Sequence, residues 1–151
     1  VLMAAGTYNP SVGLNVTAGI DIGPEPGAAT STIHASSTSN VVNITSAGAV
    51  LHDVAITGSD VNTALRLLGG TAERISVTTT GGSAACSPED GAILRDSVCW
   101  SNGSGSSASG IWVIPPGASS PSTGNVFNVT AIGGHSGIQL IADSNIPDII
   151  A

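Results

Sequence analysis

An all-β parallel solenoid with about 21–22 residues per coil and little or no α-helix is the fold class this sequence predicts, and three observations predict it. A phrase recurs with variations: Leu51-His52-Asp53-Val54-Ala55-Ile56, Ala72-Glu73-Arg74-Ile75-Ser76-Val77, Leu94-Arg95-Asp96-Ser97-Val98-Cys99 and Val126-Phe127-Asn128-Val129-Thr130-Ala131. Anchored on Asp53, Arg74, Asp96 and Asn128, its steps are 21, 22 and 32 residues, the period of one solenoid coil. A second strand family lies between the phrases, and no stretch of ten or more residues pairs helical periodicity with caps.

The first 45 residues are the least regular. Residues 1–8 form a strand running into a turn, Gly19-Ile20-Asp21-Ile22-Gly23 another strand, and Pro24-Glu25-Pro26-Gly27 a loop. Ser31-Thr32-Ile33-His34-Ala35 and Asn40-Val41-Val42-Asn43-Ile44-Thr45 continue the alternation. From Leu51 onward each recurring phrase divides into a short strand, a bend and a second strand. Asn and Asp suit the bend because they tolerate left-handed backbone and can stack from coil to coil. Arg74 departs from that pattern, which predicts a different bend in its coil.

The second family is Ala64-Leu65-Arg66-Leu67-Leu68, Gly110-Ile111-Trp112-Val113-Ile114 and Gly137-Ile138-Gln139-Leu140-Ile141, with a shorter equivalent at Ala84-Ala85-Cys86. Period-two alternation sends Leu65, Leu67, Ile111, Val113, Ile138 and Leu140 inward and leaves Arg66, Trp112 and Gln139 facing solvent. Three short strands per coil, pairing in parallel with the coils above and below, make a single β-helix domain over residues 1–151. Residues 102–109 and the Pro-rich tract 115–124 are expected to be loops thrown out from the stack, and residues 146–151 a partial last coil.

The composition suits a thin core. Ser and Thr number 35, only four residues are aromatic, and the apolar residues are mostly Val, Ile, Ala and Leu, so the interior must be built from small β-favouring layers. Lysine is absent, and Arg66, Arg74 and Arg95 stand against ten carboxylates for a net charge of −7. No nucleic-acid partner is expected, because phosphate contact needs clustered cations. No apolar run is long enough to insert in a membrane. Cys86 and Cys99 lack metal-ligand spacing, which leaves a disulfide and a pair of buried thiols both open. Four Asn-X-Ser/Thr sequons, at Asn15, Asn43, Asn102 and Asn128, are candidate glycosylation sites and lean toward a secreted or cell-surface setting.

Residues 1–8, an apolar run ending in Gly6-Thr7-Tyr8, together with Gly110-Ile111-Trp112-Val113 and Gly137-Ile138-Gln139-Leu140, resemble the right-handed, single-stranded parallel β-helix (pectate-lyase-like) superfamily across almost the whole chain. The resemblance implies fold more than function. Members usually begin with a capping helix; its absence here predicts a fragment, a processed product, or an end closed by another molecule.

The superfamily's enzymes cleave acidic polysaccharides with calcium-binding Asp and a basic proton abstractor, or with paired Asp. Without lysine only Arg could be the base, and Arg66 is the best-placed cation, with Trp112 as a sugar-stacking platform and Gln139 beside it. The bland reading is a solvated arginine. Gly133-Gly134-His135-Ser136-Gly137-Ile138 resembles the Gly-His-Gly-Ile segment of polygalacturonases, but Ser136 is extra and the companion motifs are missing, so His135 reads as a turn residue. His34 and His52 read as strand-surface positions. Asp53 and Asp96 share a register two coils apart, roughly 10 Å, with Arg74 between them, either a catalytic carboxylate pair or a self-neutralising surface column. Glu89-Asp90 offers oxygens for Ca2+ but lacks the dense spacing of dedicated calcium loops, so no cofactor or metal is expected. These residues together predict an extracellular scaffold or adhesive surface that contacts carbohydrate through Arg66, Trp112 and Gln139. The alternatives are a lyase or hydrolase acting on acidic polysaccharide, and a filament of copies stacked head to tail.

Overall fold

The computed structural model describes residues 1–36, 39–81, 84–113 and 124–140, with strands and turns and no helix among them. The expected loop over 115–123, the inward or strand placement of Ile114 and Ile141, the side chain of Leu140 and the partial coil at 146–151 lie outside these residues.

Three parallel ladders form the solenoid. The first contains β1 (Leu2–Met3), β4 (Asp21–Pro24), β7 (Val50–His52), β10 (Thr71–Glu73) and the opening halves of β13 (Ile93–Ser101) and β15 (Asn125–Gly133). Ladder two contains β2 (Gly6–Tyr8), β5 (Ser31–Ser36), β8 (Ala55–Ser59), β11 (Ser76–Thr80) and the closing halves of β13 and β15. Ladder three contains β3 (Leu14–Val16), β6 (Asn40–Ile44), β9 (Thr63–Leu67), β12 (Ala84–Pro88), β14 (Ser109–Val113) and β16 (Ser136–Leu140). The chain makes about five turns. Register reproduces the sequence period: Val50 pairs with Thr71, Thr71 with Ile93, and Ile93 with Asn125.

Aliphatic columns run up the interior because alternate residues of every strand point inward and each stands above its counterpart. Ile22, Leu51, Ala72 and Leu94 stack in ladder one, Ile33, Ile56, Val77 and Cys99 in ladder two, and Val42, Leu65, Cys86 and Ile111 in ladder three, all buried. Each fully buried Leu, Ile or Val contributes about 1.5–3 kcal/mol. Leu65, Leu67 and Ile111 are inward as the alternation requires and Val113 packs against the core, but Ile138, on the last described rung, is 56% exposed.

Cys86 and Cys99 form a disulfide in this core, with Cα atoms 6.0 Å apart, joining ladder three of one coil to ladder two of the next. The choice the sequence left open is thereby decided. Strand β3 was not anticipated: Leu14-Asn15-Val16 does alternate, but three residues are too few for periodicity to stand out.

The four anchors behave alike. Asp53, Arg74, Asp96 and Asn128 have φ of 56°, 50°, 51° and 50°, so these four coils turn from ladder one to ladder two through one left-handed residue each. The expectation that Arg74 would bend its coil differently is corrected. Left-handed backbone costs an ordinary residue about 1–2 kcal/mol, and at Arg74 a set of charged hydrogen bonds offsets it.

Candidate functional site

The left-handed corner carries the densest charge in the described molecule. Arg74 donates through Nε to Asp53 Oδ1 at 2.9 Å and through Nη2 to Asp53 Oδ2 at 2.8 Å, a bidentate clasp onto the preceding coil. Its Nη1 donates to Glu73, whose other oxygen accepts from Arg95 of the following coil. His52 extends the chain, with Nδ1 2.7 Å from Asp53 Oδ2 and Nε2 3.0 Å from Asp21 Oδ1. A neutral imidazole has one N–H and can donate to only one of these carboxylates. The ring sits close over Gly23, where a Cβ would lie 2.2 Å from His52 Cε1, so a larger residue there requires the imidazole to move. Asp96 is held differently, its Oδ1 accepting from Asn128 Nδ2 at 2.8 Å. The expected Asp, Arg, Asp column therefore exists, but Arg74 spends its donors on Asp53 and Glu73.

These bonds set the local acidities. Hydrogen bonding from Arg74, and less so from His52, holds the Asp53 carboxyl below its ordinary range against the opposing effect of burial. Arg95, then Arg74, does the same for Glu73. The Arg74 guanidinium is pushed further up by Asp53 and Glu73. A shallow, open depression of about 450 Å³ lies against the corner, with Asp53, Arg74 and Asp96 on its wall and Thr30 and Ser76 among its other lining residues. Two candidate carboxylates thus share one groove.

Arg66, Trp112 and Gln139 do lie on one outer face, that of ladder three, in a row with Asn15, Asn43 and Ser87. Several of its polar groups are bonded to neighbours, while Asn43 Oδ1 and Trp112 Nε1 are buried with no hydrogen-bond partner among the described residues. Arg66 donates Nε and Nη2 to the two oxygens of buried Glu89 at 3.0 and 3.1 Å, which raises its already high pKa. Ser87 Oγ also donates to Glu89, at 3.1 Å. Gln139 Oε1 accepts from Ser109 Oγ at 2.8 Å. Trp112 is only partly exposed and its Nε1 is buried, so it offers a sugar little of its ring.

The more exposed indole lies on another face. On the outer face of ladder two, Trp100 is 45% exposed between Thr78 of the coil below and Ile132 of the coil above, with exposed Val98 two residues back on the same strand. Below it the row continues as Thr78, Thr57 and His34, and Thr57 Oγ1 lies 2.8 Å from His34 Nδ1. The neighbouring row runs Thr7, Thr32, Ala55, Ser76, Val98, Thr130. A signal for Trp100 was present in the sequence, because an inward Cys99 requires its neighbour to face out.

The remaining candidates are scattered. His135 is an exposed turn residue between β15 and β16, its backbone N–H donating to Ala108 O. Asn43 Nδ2 donates to Asn15 Oδ1 at 3.2 Å, so these two sequons form a ladder, Asn128 is bonded to Asp96, and Asn102 is exposed where the chain leaves β13. The Glu89 carboxylate faces Arg66, and among the described residues no three His, Cys, Asp or Glu converge as a metal site. No described helix could cross a membrane.

No protein-family model matches the chain, and no match was found among curated proteins or solved structures.

Proposed function

We propose that this protein is a non-catalytic β-solenoid of the pectate-lyase-like kind, secreted or displayed at a cell surface, that contacts polysaccharide along the outer face of ladder two. The observation that carries the reading is the exposed indole of Trp100, set among Val98 and Ile132 at the end of rows of Thr and Ser hydroxyls. An exposed aromatic on a flat strand face suits the C–H face of a sugar ring, and hydroxyls one rung apart can donate to and accept from the sugar's own.

The chemistry of the arginines supports a role without catalysis. Arg66, Arg74 and Arg95 are the chain's only lysine or arginine side chains, and each is bonded to a carboxylate. A lyase base must give up its proton, and pairing with carboxylates opposes that. The disulfide favours an oxidising compartment. A second reading, a hydrolase, has the groove beside Asp53 and Asp96 in its favour; release of reducing ends from polysaccharide, abolished in Asp53→Asn and Asp96→Asn, would establish it.

Retention of the protein in gels containing soluble polysaccharides tests the main reading. Trp100→Ala is expected to lose retention by roughly tenfold or more, as central aromatic contacts do, while Trp112→Ala stays close to the parent. Equal retention of parent and Trp100→Ala would remove ladder two as the contact face.

A further inference from the structure

We infer that the polysaccharide recognised on ladder two is uncharged. This rests on the glycan-contact reading above and specifies its ligand class, against the acidic substrates that the superfamily resemblance suggests.

A uronate polymer brings one carboxylate per sugar, and taking that charge out of water requires a cation or a charge-assisted donor at the contact. The two outer rows of ladder two contain no Arg, Lys, Asp or Glu. His34 is their one titratable group, and its Nδ1 is engaged with Thr57. The arginines stand off these rows: Arg66 is on ladder three, and Arg74 and Arg95 belong to the corner that borders Ala55 and Ser76, where Asp53 and Glu73 already neutralise them. The net charge of −7 adds a repulsive field for any polyanion that comes within a Debye length, about 8 Å at physiological salt. A cationic polymer finds no carboxylate in these rows either. What the face offers is hydroxyl groups in register and an apolar cluster of Trp100, Val98 and Ile132, which matches the hydroxyl edges and C–H faces of neutral sugars.

Retention in gels containing soluble β-glucan, mannan or xylan, compared with polygalacturonate and chitosan, tests this at 50 and 500 mM NaCl. The expected result is retention by at least one neutral polymer that changes less than twofold with salt and is lost in Trp100→Ala. Trp100→Phe, which keeps an aromatic ring, retains part of it, and far-UV circular dichroism of both variants reports whether the solenoid is intact. Salt-sensitive retention by polygalacturonate or chitosan alone, still dependent on Trp100, would overturn the uncharged class and leave ladder two as the contact face. Retention by none of the polymers would overturn the glycan-contact reading and this inference with it.

Discussion

At the residue scale, the corner between ladders one and two shows how side-chain chemistry holds a strained backbone. Asp96, at φ 51°, can be replaced by Gly without backbone strain, whereas a β-branched residue there is costly. Asp96→Val is expected to lower stability by roughly 1–3 kcal/mol and Asp96→Gly by much less, measured by denaturant unfolding. The ion network makes a second prediction. Asp53 and Glu73 have folded pKa values below their unfolded ones, so the stability they contribute is fully present above pH about 4.5 and is lost as pH falls through the lowered folded values. The unfolding midpoint should therefore fall on acidification below that pH. Arg74→Gln, which removes the main cause at Asp53, should flatten the decline; an unchanged acid limb would contradict the assignment. Asp53, Asp96 and Asn128 were legible as bend residues because their short polar side chains tolerate left-handed backbone. Arg74 was not, because its conformation follows from bonds to Asp53 and Glu73 on other positions of the corner, which no local propensity records.

At the element scale, β12 and β13 are tied by a cross-link between successive coils. The disulfide closes a short loop, and constraint of the unfolded chain by such a loop contributes about 3 kcal/mol. A Cys86→Ala/Cys99→Ala double variant should lose stability of that order by denaturant unfolding, and reducing agent should have no further effect on it. Alternation alone placed Leu65 and Ile111 in the core and Arg66 outside it, since period two is set by strand geometry. It could not show that Arg66 is clamped by Glu89, because that contact joins β9 to the exit of β12 and depends on coil register. The same gap hid the difference between the two indoles: Trp112 and Trp100 both alternate outward, and only three-dimensional packing distinguishes the partly covered ring from the exposed one.

At the scale of the whole molecule, a solenoid is quasi-one-dimensional, each coil contacting its neighbours, so faces rather than pockets are what it can present to a partner. Its three ladders divide the work. Ladder one and its corner concentrate charge, ladder three engages Arg66, Ser87 and Gln139 in bonds to its own neighbours, and ladder two leaves hydroxyls and an indole open to solvent. The fold was legible because repetition wrote it several times over; the face left open to solvent was not, because it depends on which outward residues neutralise one another. The central claim, that Trp100 stands at the contact with an uncharged polysaccharide, is tested most directly by its own fluorescence. The chain has two tryptophans, so Trp112→Phe leaves Trp100 as the sole indole, excited selectively over Tyr8 at the red edge of its absorption. Saturating neutral polysaccharide is predicted to shield that indole, lowering its quenching by acrylamide and shifting its emission to shorter wavelength. Polysaccharide bound at saturation with neither change at Trp100 would contradict the account.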